Sequence, residues 1–211
     1  MSDWKLPRLY AIADAQMLAA RNLALEDFAT GLRAAGVTLV QYRDKTGSPQ
    51  EILRAAALLR EVFAGSEAKL IMNDRADFAV LASFDGVHVG QEDLSPQDAR
   101  AVVGPSRIVG VSTHHDAQAR AADASCADYI AIGPVFATGS KENPGPVVGL
   151  EAVRRARALT GKPIVAIGGI TRANAFSVID AGADSGAVIS ALIAPAESAE
   201  HIARDFLSIL G

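Results

Sequence analysis

Short apolar runs alternate with longer amphipathic stretches along the whole chain. Strand-like runs occupy Leu9 to Ala13, Leu39 to Tyr42, Lys69 to Met72, Gly86 to Val89, Ile108 to Ser112, Tyr129 to Gly133, Pro163 to Ile167 and Ala187 to Ser190. Between them apolar positions recur at helical spacing. In Glu51 to Phe63 the residues Ile52, Leu53, Ala56, Leu59 and Phe63 share a face, and in Leu150 to Leu159 arginines take the opposite one. Strict strand-then-helix order implies parallel strands joined by right-handed crossovers. Eight units leave roughly 26 residues each, enough for a strand, a helix and two short connections. Closure at eight predicts an α/β protein with one domain over residues 1–211, a (β/α)8 TIM barrel. An open doubly wound sheet fits less well, because its phosphate site sits on a Gly-rich turn after the first strand, and none follows Asp14.

The one long irregular segment, Pro134 to Gly149, exceeds an ordinary strand-to-helix connection. Loops of that length in compact domains are usually functional or disordered. Thr138, Gly139, Ser140 and Lys141 at its centre favour an active-site lid over a spacer.

Composition sharpens this picture in a few places. Half of the residues are hydrophobic but only 5% are aromatic, which predicts an aliphatic core. A formal charge of −4 argues against a large nucleic-acid surface. Small anionic substrates need only local cations and stay open. The single cysteine, Cys126, excludes an intrachain disulfide or a multi-cysteine zinc site, and its flanks mark it as a small packing residue. Met1 to Pro7 lacks a leader pattern and no apolar run reaches a membrane span. A soluble cytoplasmic protein without a membrane partner is expected, and a homo-oligomer is compatible with the sequence.

In such a barrel the chemistry sits at the carboxyl ends of the strands. Those ends are polar here. Gln41, Arg43 and Lys45 alternate onto one side of the second strand while Tyr42 and Asp44 face the other. One amide and two cations suit the oxygens of a diphosphate; the alternative is an exposed basic loop paired with Asp44. The next two strand ends supply Asn73, Asp74 and Asp93. A carboxylate pair on neighbouring strands is a hard oxygen site for Mg²⁺, whereas Asp74 taken alone reads as a helix cap or a partner of Arg75. The fifth end carries Ser112, Thr113 and His114, of which His114 is a weak acid–base candidate. His115 reads as a helix start and His88 as a barrel-wall or core residue. Gly168-Gly169 after the seventh strand and Ser190 after the eighth predict a second phosphate site.

These segments, taken in order, resemble the thiamine phosphate synthase (thiamine-phosphate pyrophosphorylase) family over nearly the whole chain. The motifs are Gln41-Tyr42-Arg43-Asp44-Lys45, Asn73-Asp74-Arg75, Gly86 to Leu94, Gly110-Val111-Ser112, Thr138-Gly139-Ser140-Lys141, Ala166 to Ile170 and Val188-Ile189-Ser190. The resemblance implies a transferase that joins hydroxymethylpyrimidine diphosphate to hydroxyethylthiazole phosphate, giving thiamine phosphate and diphosphate by a dissociative, Mg²⁺-assisted substitution. It implies that Gln41, Arg43, Lys45, Asn73, Ser112 and Lys141 hold the pyrimidine diphosphate, with Arg43, Lys45, Ser112 and Lys141 acting on the leaving group. By the same resemblance Asp74 and Asp93 ligate Mg²⁺, and Thr138, Ser140, Gly169, Ile189 and Ser190 surround the thiazole phosphate.

Two departures stand out: Ser140 where a second threonine is common, and Asp184-Ser185-Gly186 in place of an Asp-Gly start to the last strand, which leaves the backbone course there open. The related thiazole tautomerase shares the barrel and a Ser-x-His segment like Ser112-Thr113-His114, but it has no diphosphate or metal to hold. A non-catalytic thiamine-phosphate binding protein is the third reading.

Overall fold

The structure is a computed structural model that describes residues 5–140, 145–194 and 196–211. Eight parallel strands close on themselves in sequence order, with the first pairing to both the second and the eighth. They are β1 (Leu9–Asp14), β2 (Leu39–Arg43), β3 (Lys69–Asn73), β4 (Gly86–Val89), β5 (Ile108–Thr113), β6 (Tyr129–Ile132), β7 (Ile164–Ile167) and β8 (Ser185–Val188). The helices are α1 (Ala15–Ala20), α2 (Leu25–Ala35), α3 (Pro49–Val62), α4 (Ala76–Leu81), α5 (Pro96–Val103), α6 (Asp116–Asp123), α7 (Gly149–Leu159), α8 (Ala175–Asp180) and α9 (Ala199–Leu210). Helix α9 packs on α2 and completes the outer ring. None of the described helices is long and apolar enough to cross a membrane.

Local chemistry explains where the helices begin. Ser48 caps α3 through the Glu51 N–H while the Glu51 carboxylate returns to the Ser48 N–H, and Pro49 occupies the first helical position. Ile52, Ala56 and Leu59 then fall on the buried face.

Strand alternation divides the interior into two regions. Outward positions such as Val40, Met72, Val87, Val111 and Ile130 meet the helices in a large, mostly aliphatic layer. Inward positions form a separate cluster inside the barrel, built around Tyr10, Ile12, Leu39, Ile71, Tyr129 and Val165. The expectation of a purely aliphatic core therefore holds in neither region, because Phe28, Phe63, Phe78, Phe84 and Phe206 are buried in the outer layer. Two fully buried tyrosines occupy the barrel, their hydroxyls 2.9 Å apart and their rings edge to face. Gly110 makes room for one of them, since a Cβ there would lie 2.0 Å from the Tyr129 ring.

The opposite rim, at the amino ends of the strands, is fastened by one device used three times. Asp85, Asp128 and Asp184 each precede an even-numbered strand, and each donates its N–H to a carbonyl of the preceding strand, at Leu70, Val109 and Ile164. Each carboxylate accepts the N–H of that same residue at 2.7–2.9 Å and pairs with a cation, Lys69, Arg100 or Arg157. The third clasp settles the course of Asp184-Ser185-Gly186. It starts β8 at Ser185, so the strand covers Ser185–Val188 rather than the expected Ala187 to Ser190, and Ser190 opens a 3-10 turn, Ser190–Leu192.

Cys126 also departs from expectation. It is exposed, with its thiol 3.2 Å from the Pro96 carbonyl, because the turn before β6 lies on the surface of that rim.

Gly110→Ala should lower stability by about 1–3 kcal/mol, the usual cost of overpacking. Gly161→Ala, where the new Cβ meets nothing within 4 Å, should stay within about 0.5 kcal/mol of the parent. Urea unfolding of the two variants checks the pair; equal effects would mean that Tyr129 does not need the space.

Candidate functional site

The carboxyl ends of the strands open into a cleft of about 840 Å³ lined by residues of all eight strands. Its charged half is organised from β1. Asp14, only 1% exposed, ends that strand beside Arg43, pairs with the Arg43 guanidinium and caps α1 through the Met17 N–H. A buried carboxylate fixing a guanidinium restricts its rotamers and points the rest of the fork at the cleft.

Two residues beyond Asp14, Gln16 clamps the loop after β2. Its amide N–H donates to Asp44 at 2.7 Å and to Thr46 at 3.0 Å, and its carbonyl accepts the Lys45 N–H. Asp44 also accepts the N–H groups of Thr46 and Gly47 and the Tyr42 hydroxyl. It is a loop-forming group, not the partner of Arg43 or Lys45. Burial pushes its carboxyl upward, but the N–H donors of Gly47, Gln16 and Thr46 outweigh this and hold it below its ordinary range.

Lys45 reaches across to Asp74, which adopts a left-handed backbone at φ 60°. An aspartate tolerates that conformation better than most residues. The turn is held by Asp74 N–H to the His88 carbonyl and Arg75 N–H to the Asn73 carbonyl, each 2.7 Å. It sets the Asp74 carboxyl against that of Asp93. Burial and the Asp93 carboxylate raise the Asp74 pKa against the opposing pull of Lys45. Arg75 turns away, pairing with Asp77 and lying 3.9 Å over the Phe78 ring, and Asp74 caps no helix. Two carboxyl groups forced together beside cations form a hard oxygen donor pair that a divalent cation would relieve. The only group of three such ligands among the described residues, Glu197, His201 and Asp205, lies elsewhere and is already engaged by Arg172.

Deeper in the cleft Gln41 donates to the Tyr10 hydroxyl at 2.8 Å, and Ser112 lies 2.8 Å from Nε2 of His88. Gln91 holds the Ser112 carbonyl at 2.6 Å. His88 is an interior residue, as its place in β4 predicts, and His115 caps α6. His114 contacts the Gly133 carbonyl at 2.6 Å through Nδ1, which requires the proton on that nitrogen.

A smaller recess of about 40 Å³ adjoins the cleft and shares Ser112, His114, Ser140, Ile167, Ala187 and Ile189 with it. Thr138, Gly168, Gly169 and Ser190 line its far side. Both glycines have positive φ, and a Cβ on Gly169 would meet the Ala137 carbonyl at 2.4 Å. The double glycine thus lets β7 turn tightly under the segment after β6, which hydrogen bonds to it through Val135 and Phe136. Arg21 braces the other wall by donating to the Ser190 carbonyl at 3.0 Å.

Every expected site residue except Lys141, which lies outside the described residues, comes to this one face. Sequence reading passed over Asp14, Gln16, Tyr10, Tyr129 and Gln91. A signal for Asp14 existed, because it continues the inward series Tyr10, Ile12 of β1.

The thiamine monophosphate synthase family model matches residues 9–192. The chain belongs to that family. A thiamine-phosphate synthase of Koribacter versatilis is 56% identical over 211 residues, covering 99% of this chain and 98% of that protein. One from Methanoculleus marisnigri is 44% identical over 185 residues, 88% and 87% of the two chains. Among solved structures, the thiamine phosphate pyrophosphorylase of Pyrococcus furiosus superposes with a TM-score of 0.84 at 32% identity, covering 96% of this chain and 95% of that one.

Because the Asp44 carboxyl titrates below its ordinary value of 3.8, the stability it contributes is present above that pH and lost as pH falls through the depressed value. Asp44→Asn should therefore destabilise the protein at neutral pH, with a gap that closes in strong acid. Thermal melts of both proteins across that range decide it; a gap independent of pH would leave the Asp44 charge without a role.

Proposed function

We propose that the chain carries out the synthase reaction of its family in this cleft, with hydroxymethylpyrimidine diphosphate on the β2–β5 side and hydroxyethylthiazole phosphate in the recess between β6 and β8. The observation that carries the reading is the division of the face. Arg43, Lys45 and the Asp74/Asp93 pair gather at one side, hydroxyls and a tight glycine turn line the other, and Ser112 stands on the border of both.

In this reading the bond between the pyrimidine methylene and the diphosphate oxygen breaks, and its electron pair leaves with the diphosphate. The thiazole nitrogen then forms the new carbon–nitrogen bond with its lone pair. Arg43, Lys45, Ser112 and, from the segment after β6, Lys141 meet the charge that develops on the leaving group; Gln41 and Asn73 position the pyrimidine diphosphate. Such preorganised donors act on the charge that appears in the transition state. Thr138, Ser140, Gly169, Ile189 and Ser190 hold the thiazole phosphate so that its ring faces the methylene. Ile167, Ala187 and Ile189 form an apolar wall beside the reacting carbon, which limits access of water to a cationic intermediate. Asp74 and Asp93 would hold Mg²⁺, whose chemistry when bound is to neutralise diphosphate oxygens.

Purified protein given both substrates and Mg²⁺ should release thiamine phosphate and diphosphate in equal amounts, and a chelator should stop it reversibly. Asp93→Ala should cost about 10²-fold or more in turnover, on the scale of losing one preorganised charge contact, while remaining folded. Full turnover of Asp93→Ala at low Mg²⁺ would remove the metal from this site.

The two sides should fail separately. Lys45→Ala should weaken the pyrimidine diphosphate by about 1.5–3 kcal/mol, the range for a hydrogen bond to a charged group, and Ser190→Ala the thiazole phosphate by about 0.5–1.5 kcal/mol. Calorimetric titration of each variant with each ligand reads this directly. If both substitutions weakened the same ligand, the division of the cleft would be wrong.

A further inference from the structure

A continuous hydrogen-bond chain crosses the barrel from Gln41 on β2 to Ser112 on β5, and no step above uses its three middle residues, Tyr10, Tyr129 and His88. Gln41 donates to Tyr10 at 2.8 Å, the Tyr10 and Tyr129 hydroxyls are 2.9 Å apart, Tyr129 is 2.9 Å from His88 Nδ1, and His88 Nε2 is 2.8 Å from Ser112 Oγ. The His88 ring also stacks on the Tyr129 ring at 5.5 Å. Burial holds both phenols well above their ordinary pKa, so both keep their protons. A phenol has one proton to give. With Gln41 donating at one end, the arrangement that uses every proton runs one way: Tyr10 donates to Tyr129, Tyr129 to His88 Nδ1, and His88 Nε2–H to Ser112 Oγ. The Ser112 proton is then left to point into the cleft.

We propose that Tyr129 and His88 are positioning residues that lock Ser112 as a hydrogen-bond donor toward the leaving diphosphate oxygen. In that arrangement His88 does not act as a base that would turn Ser112 into a nucleophile. Only the identity of the oxygen that Ser112 meets rests on the synthase reading; the direction of the chain is a property of the protein by itself. A reversed chain, with Ser112 donating to His88, would follow if the Gln41 amide were turned over, and it would make Ser112 an acceptor toward the cleft.

Imidazole nitrogen NMR of labelled full-length protein without substrates, with His88 assigned by its loss in His88→Gln, should show the Nε2–H tautomer at neutral pH. The Nδ1–H tautomer overturns the proposal whatever the activity. In the synthase assay Tyr129→Phe should lower kcat by about tenfold, the scale of one charge-assisted hydrogen bond, with KM for both substrates within about twofold.

In a Ser112→Ala background the same substitution should change kcat by less than about twofold, because residues acting through one group are not additive. Multiplicative losses would show that Tyr129 acts only on the fold, and would overturn the assignment. His88→Gln, whose amide nitrogen can reach Ser112 as a donor, should retain several times the kcat of His88→Leu; equal losses count against it too. If the parent protein makes no thiamine phosphate, the synthase reading fails while the tautomer still decides the direction of the chain.

Discussion

Closing eight parallel strands shuts water out of the barrel below the cleft, and the polar groups there must then satisfy one another. The contact between the Tyr10 and Tyr129 hydroxyls is the hinge of that arrangement. Two large rings fill the lower barrel, and their polar ends face the same point instead of being buried without partners. No buried side-chain polar atom among the described residues lacks a hydrogen bond. Gln41 and His88 are tolerated deep in the barrel because the phenols give them partners, and Gly110 is small because Tyr129 passes over it. The same contact sets the height of the cleft floor, since Gln41 and Ser112 sit directly on the chain it anchors.

Above that floor the cations are held before any anion arrives. Arg43 is paired with the buried Asp14 and Lys45 with Asp74, so neither long side chain needs to be ordered by substrate. Pairing reduces the net positive charge but saves conformational entropy when a ligand binds. The two pairs are not equivalent. Asp14 is sealed under the site and caps α1, so the Arg43 pair belongs to the scaffold. Asp74 faces a second carboxylate and is raised by burial and by that neighbour, so its pair with Lys45 is the one that a cation would rearrange.

Much of this was legible in the sequence, because period-two alternation at the strand ends reports side without any tertiary information. Gln41, Arg43 and Lys45 separate cleanly from Tyr42 and Asp44 on that basis, and the eight β-to-α units imply closure. The internal chain was hidden for a physical reason. Tyr10 and Tyr129 lie 119 positions apart in runs that read as ordinary apolar strands, and only barrel geometry makes them neighbours. Cys126 was misjudged because cysteine is usually buried, whereas the turn before β6 leaves its residue outside. The shift of β8 came from reading Ala187 to Ser190 as the apolar run; the Asp184 clasp, which fixes where the strand starts, joins its carboxylate to the backbone N–H of Ile164 on a different strand.

The three aspartate clasps and the catalytic face also show how the barrel divides its labour between rims. At the amino-end rim, Asp85, Asp128 and Asp184 spend their carboxylates on backbone N–H groups and on neighbouring cations, so those charges stabilise and do nothing else. At the carboxyl-end rim, Asp74 and Asp93 set theirs partly against each other, an arrangement that burial makes costly to both charges together. Residues of one chemical type thus differ in role by what the backbone lets them reach. The left-handed turn at Asp74 belongs to the same logic, since it is the backbone conformation that sets the Asp74 carboxyl against Asp93 and Lys45.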